Sequence, residues 1–128
     1  MSELKNQISQ FIDTNAKIYQ DISLAIHAKP EVSDFEYFAS QTLSEQLKKE
    51  GFEIELPAAG HRTGFAATYK SNKPGPTVVF LAEYDALAGL GHGCGHNVFG
   101  ATSSLAGAAL KSIVDQIGGE VRVYGTPG

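Results

Sequence analysis

The sequence predicts an α/β fold in which helices lie on both faces of a largely parallel mixed sheet. Three observations predict it. Residues 3–47 carry helical hydrophobic periodicity, the run Thr77–Ala82 is continuously apolar and β-branched at its start, and a glycine-rich loop leads from that run into a small-residue helix and one more strand.

Leu4, Ile8, Phe11, Tyr19, Ile22 and Ile26 fall on one helical face, so residues 3–28 read as one long amphipathic helix that Pro30 stops. Ser33-Asp34-Phe35-Glu36 then has the Ser-x-x-Glu spacing of a capping box, and Phe35, Phe38, Ala39, Thr42, Leu43 and Leu47 make one face of a second helix before Gly51. Phe52–Leu56 and Gly64–Lys70 alternate like strands, and Ser71-Asn72-Lys73-Pro74-Gly75-Pro76 is a turn. Thr77–Ala82 has no polar alternate position, which predicts a strand covered on both faces. Asn97 is placed to cap a third helix over about Val98–Ile117, whose small residues allow close packing on the sheet until Gly118-Gly119 ends it. Glu120–Tyr124 alternates as a final strand, and Gly125-Thr126-Pro127-Gly128 reads as the turn that leaves it. No internal repeat, low-complexity tract or linker divides the chain.

The chain has 128 residues, 42% hydrophobic and 19% charged, enough to bury roughly two thirds of its unfolded surface in one core. Its formal charge of -4 and scattered cations, with Lys48-Lys49 the only adjacent pair, argue against a nucleic-acid partner. No apolar run approaches the roughly 18 residues of a membrane span, and Met1-Ser2-Glu3-Leu4-Lys5 lacks the apolar core of a signal peptide. A single cysteine forms no internal disulfide, and the expected location is the cytoplasm.

The chemistry concentrates in Gly91-His92-Gly93-Cys94-Gly95-His96-Asn97. Thiolate and neutral imidazole suit a borderline ion such as Zn²⁺, and Gly93 and Gly95 let the backbone bend around it. Two ligands do not make a protein zinc site, so further donors must come from elsewhere. Glu83 and Asp85 leave the apolar strand about ten residues earlier, at the sheet edge where ligands of α/β proteins collect, and Asp85 is placed to hydrogen-bond a ligating imidazole from behind. The pattern alone leaves other readings open: Cys94 as a small buried hydrophobe with solvated histidines, or Cys94 as a hydrolase nucleophile with His92 or His96 as base, favoured as thiolate by the helix N-terminus. The alternating Gly89, Gly91, Gly93 and Gly95 fit neither the dinucleotide nor the P-loop register.

Glu83-Tyr84-Asp85-Ala86-Leu87, the Cys94-Gly95-His96-Asn97 loop, the small-residue helix and Tyr124-Gly125-Thr126-Pro127 together resemble the binuclear metal-dependent amidohydrolases and peptidases of the aminoacylase and carboxypeptidase-G type. The likeness is greatest to the aminobenzoyl-glutamate hydrolase-like branch, and extends upstream through His27-Ala28-Lys29-Pro30-Glu31, Glu36 and Thr63-Gly64-Phe65. It implies a three-layer α/β/α sandwich, with residues 1–128 as the N-terminal portion of a zinc-exopeptidase-like catalytic domain. A C-terminal catalytic portion and a dimerisation or lid domain would lie outside them. It also implies that Cys94 bridges two divalent ions, Zn²⁺ or Mn²⁺, that His96 is a terminal ligand, and that Asp85 orients from behind. Glu83 falls where many relatives carry a ligating histidine and is expected to be structural; His92 is assigned to loop structure, and His27 and Glu31 to holding the first helix. Ala88 and Gly93 stand where the branch usually has proline and alanine, which would loosen the loop.

In such proteins the general base, a glutamate, follows the Gly-Thr-Pro turn, so it is expected beyond Gly128. The implied reaction is hydrolysis of an amide in an N-acyl or aminoacyl amino acid, with a small dipeptide-like or aminobenzoyl-glutamate-like substrate and a homodimeric whole protein. The 128-residue chain itself is expected to be inactive and to hold metal weakly. A non-catalytic α/β scaffold is the alternative from another class.

Overall fold

The computed structural model describes residues 2–128. Helix α1 (Ser2–Ala28) is followed by α2 (Tyr37–Lys49), strands β1 (Glu53–Glu55), β2 (Phe65–Lys70) and β3 (Thr77–Ala82), helix α3 (His96–Ile117) and strand β4 (Glu120–Gly125). The four strands form a mixed sheet in the order β1-β2-β4-β3. β1 with β2 and β2 with β4 are antiparallel, and parallel pairing is confined to β3 with β4, which α3 connects.

Register and burial divide the sheet's faces. Phe65 and Ala67 of β2, Val121 and Val123 of β4, and Phe80 and Ala82 of β3 point one way, into a single core with Leu43 and Leu47 of α2 and Ala101, Ala108 and Val114 of α3. Helix α1 adds Tyr19, Ile22 and Ile26 from behind α3. The opposite face carries Ala66, Thr68, Arg122 and Tyr124 with no helix over it. Among the described residues no helix is long and apolar enough to cross a membrane.

Three local expectations are corrected. Thr77–Ala82 is not covered on both faces: β3 is an edge strand, with Val79 42% and Leu81 53% exposed, because all the helices lie on the face opposite these two side chains. The capping box at Ser33 does not form. Helix α2 starts after Glu36, which has no side-chain cap bond, and the carboxylate of Glu31 instead accepts the amides of Phe38 (2.9 Å) and Ala39 (3.0 Å). Nor does Asn97 cap α3: the cap position is Gly95 at φ 84°, and the Asn97 amide donates to Ser23 Oγ at 3.2 Å, tying α3 to α1.

Close approach of α3 to the sheet depends on small residues. A Cβ built on Gly107 would collide with the Cγ2 of Val123, a fully buried β-branched side chain that cannot swing away. Helix propensity alone would favour alanine there by about 1 kcal/mol, whereas overpacking a tight core costs about 1–3 kcal/mol. Gly107→Ala is therefore expected to lower stability by up to about 2 kcal/mol in a urea titration; a stabilised variant would show that the α3–β4 contact is looser than described.

Candidate metal centre

The site stands where β3 ends. Extended chain alternates its side chains, so after Ala82 the residues Glu83 and Asp85 emerge on one side while Tyr84 between them turns inward and is fully buried. The backbone is held on both flanks: the Thr126 amide donates to the Ala82 carbonyl at 2.9 Å and the Ala86 amide to the Glu31 carbonyl at 2.7 Å. The loop that follows is a tight turn, with Leu87 and Gly91 bridged through both backbone partners and Gly89 and Gly91 at positive φ. It returns the chain to Gly95, and the first residue of α3 is His96.

This path brings His96 between the two carboxylates. Its Nδ1 lies 2.6 Å from Asp85 Oδ1, and its Nε2 lies 3.4 Å from Glu83 Oε1. The ring is further fixed edge-on against Phe99, with centroids 5.9 Å apart. In the neutral ring, a carboxylate that close to Nδ1 favours the proton on that nitrogen, with Nε2 then facing Glu83 as the lone-pair atom. The Nε2 to Oε1 distance is long for a strong hydrogen bond, but it matches the edge of a metal tetrahedron. Two ligands held about 2.0–2.1 Å from Zn²⁺ stand about 3.4 Å apart. The donor set thus fits a divalent ion, with imidazole and carboxylate both of the right type.

Cys94 is not drawn into this group. It is exposed, it lies outside the cluster formed by Glu83, Asp85 and His96, and among the described residues it makes no hydrogen bond to either neighbouring histidine. The nucleophile–base pairing that a cysteine hydrolase needs is therefore not formed. Glu83, expected to be structural, instead faces the imidazole; its spacing of two from Asp85 is the signal, since period-two alternation places both on the same side. His92 differs from a solvated loop residue: both its ring nitrogens are buried without a hydrogen-bond partner, its ring centroid is 6.3 Å from that of His27, and burial pushes its pKa below the ordinary imidazole value, helped by His27 and His96.

Fold and site together describe a mixed α/β unit with a candidate metal centre at the end of a strand. The proteins it resembles are hydrolases. The chain is 33% identical over 147 aligned residues to one of the subunits of p-aminobenzoyl-glutamate hydrolase from Escherichia coli K12, matching 100% of this chain and 30% of that protein. Its fold matches, with a TM-score of 0.83 at 27% identity, a protein of methicillin-resistant Staphylococcus aureus assigned as an aminohydrolase, over 96% of this chain and 35% of the other. A dinuclear metal-binding peptidase of the M20 family from Bacillus subtilis shares the fold at a TM-score of 0.68 and 23% identity, over 97% of this chain and 36% of the other. No family model matches the chain. The chain is thus similar over nearly its whole length to amidohydrolases and peptidases, and spans about a third of the length of the relatives it matches.

The Asp85 contact is expected to bias the tautomer of the neutral His96 ring without any metal. ¹⁵N-detected spectra of the metal-free chain, at a pH where the ring is neutral, are expected to show the proton on Nδ1 in the parent and a shift toward Nε2 in Asp85→Ala. An unchanged tautomer in that variant would remove Asp85 as the group that orients the ring.

Proposed function

We propose that this chain is the part of a metal-dependent amidohydrolase that supplies the strand-end half of a two-metal site, in a whole protein that hydrolyses N-acyl or aminoacyl amino acids. The observation that carries the reading is the commitment of His96 Nδ1 to Asp85, which leaves Nε2 and Glu83 Oε1 separated by a ligand-to-ligand distance. His96 and Cys94 are the proposed metal ligands, with Asp85 orienting the imidazole, and Glu83 is added to that set on its position. Cys94 stands at the lip of the same turn, immediately before the cap residue Gly95, where its exposed thiol is free to join an ion.

A divalent ion held there supplies Lewis acidity, which polarises an amide carbonyl and lowers the pKa of water toward about 7. The protein residues have separate tasks. Asp85 keeps the His96 proton on Nδ1, and Glu83 adds negative charge that favours a cation. The proton-shuttling general base is proposed to lie outside residues 1–128, as are the remaining ligands and a dimerisation or lid domain, so this chain alone is proposed to be inactive. Zn²⁺ and Mn²⁺ both suit the donors. The substrate class follows the E. coli relative, whose name specifies an amide of glutamate, and a homodimeric cytoplasmic enzyme completes the proposal.

Titrating the chain with Zn²⁺ and with Mn²⁺ tests this reading. His96→Ala is expected to abolish binding, Cys94→Ala to weaken it, and Asp85→Ala to weaken it by about 10- to 100-fold. Equal affinity of Cys94→Ala and the parent would strike Cys94 from the ligand set. Amide hydrolysis by residues 1–128 is expected to fall short of a full-length relative by at least the roughly 10²–10⁴ that a missing general base costs. Comparable turnover would refute the proposed division of the site.

A further inference from the structure

Between the two carboxylates that flank His96 the chain carries a buried aromatic residue. Tyr84 sits between Glu83 and Asp85 in sequence, is 0% exposed, and is the largest fully buried side chain among the described residues. Its hydroxyl donates to the Thr63 carbonyl at 2.5 Å. Thr63, also fully buried, donates its own hydroxyl to Glu36 Oε1 at 2.8 Å, and the other oxygen of Glu36 accepts the Gly128 amide at 3.1 Å. Three segments far apart in sequence, the start of α2, the loop before β2 and the turn after β4, are thus linked in series, with Thr63 the one that bonds the phenol.

The surroundings are shaped for that phenol. A Cβ on Gly125 would meet the Tyr84 hydroxyl and the Phe65 ring, and one on Gly100 would come within 3.0 Å of the Glu83 carbonyl and 3.4 Å of Tyr84 Cβ. The Phe65 ring stacks on Tyr84 with 12° between their planes. Burial, and secondarily Glu36, push the Tyr84 pKa far above its ordinary value, so the group stays a neutral hydrogen-bond donor. A side chain gripped at its tip, ring and Cβ leaves little rotational freedom to the backbone that carries it. In extended chain the neighbours on either side must then point the opposite way.

We propose that Tyr84, held by Thr63 and Glu36, is a positioning residue that aims Glu83 and Asp85 at His96 and so sets the geometry of the metal centre. This rests on the proposed metal-site reading for its effect on affinity, but not for its effect on the metal-free ring. Residues outside the site act on it here through a buried polar chain, in which each group is satisfied only if the others stay in place.

The test compares two buried tyrosines that lose the same atom. Tyr84→Phe removes the hydroxyl on Thr63; Tyr19→Phe removes the hydroxyl that donates to Glu50 Oε2 at 2.8 Å, in the α1–α2 contact away from the centre. Both should lose some stability, so measurements are made on the folded proteins well below their melting temperatures. Tyr84→Phe is expected to weaken Zn²⁺ binding by about tenfold, the lower end for a supporting residue, and to lower the population of His96 protonated at Nδ1 in the metal-free chain. Tyr19→Phe should leave both unchanged. Glu36→Gln should reproduce the Tyr84→Phe ring signature in weaker form. If Tyr84→Phe leaves the His96 tautomer as in the parent, the positioning inference is overturned whether or not metal binds. If the tautomer moves while the parent binds no Zn²⁺, the inference stands and the metal-site reading fails.

Discussion

The parallel pairing of β3 with β4 is the constraint on which the rest depends. Six register pairs, from Thr77 with Glu120 to Ala82 with Gly125, bring the two strands to an end at the same edge of the sheet. A parallel pair needs a crossover, and α3 supplies it, so the helix must begin at the edge where β3 finishes. His96, as the first residue of that helix, is thereby delivered to the carboxylates that β3 has just released. The sharing of that edge also lets the Thr126 amide close on Ala82 and the Gly128 amide reach Glu36, which encloses Tyr84. Fold and site are one consequence of the same topology.

Much of this was legible in the residues. The limits of β3 and the end of α3 follow from an apolar β-branched run and from Gly118-Gly119, both local signals. What was not legible was which partner a polar side chain would choose. Ser33-Asp34-Phe35-Glu36 has the spacing of a capping box, yet Glu36 serves Thr63, 27 residues away, and Glu31 caps the helix instead. Asn97 has the chemistry of a cap and bonds Ser23 of α1. Capping rules weigh only local partners, whereas a buried acid goes wherever its hydrogen bonds are all met. The expected cover on both faces of β3 fails for another reason. Val79 and Leu81 record a need for apolar cover, and the described helices, which belong to about a third of a relative's length, lie wholly on the other face.

The charge balance at the centre separates a metal from a simple ion pair. The ligand atoms of Glu83, Asp85 and His96 all lie within 4.8 Å of one another, and among the described residues neither carboxylate meets a lysine or arginine. Two negative charges at about that separation repel by about 1 kcal/mol in bulk water and about 3–4 kcal/mol at an effective dielectric constant of 20; partial exposure of Glu83 puts the real figure between these. A protonated His96 offsets one charge and leaves one over. A divalent cation offsets both while the imidazole Nε2 serves as its ligand and the Nδ1 side stays on Asp85. The histidine cannot serve as the counter-cation and as a metal ligand at once. Among the described residues the centre has two carboxylates, one imidazole and no lysine or arginine, a charge balance that a divalent ion closes.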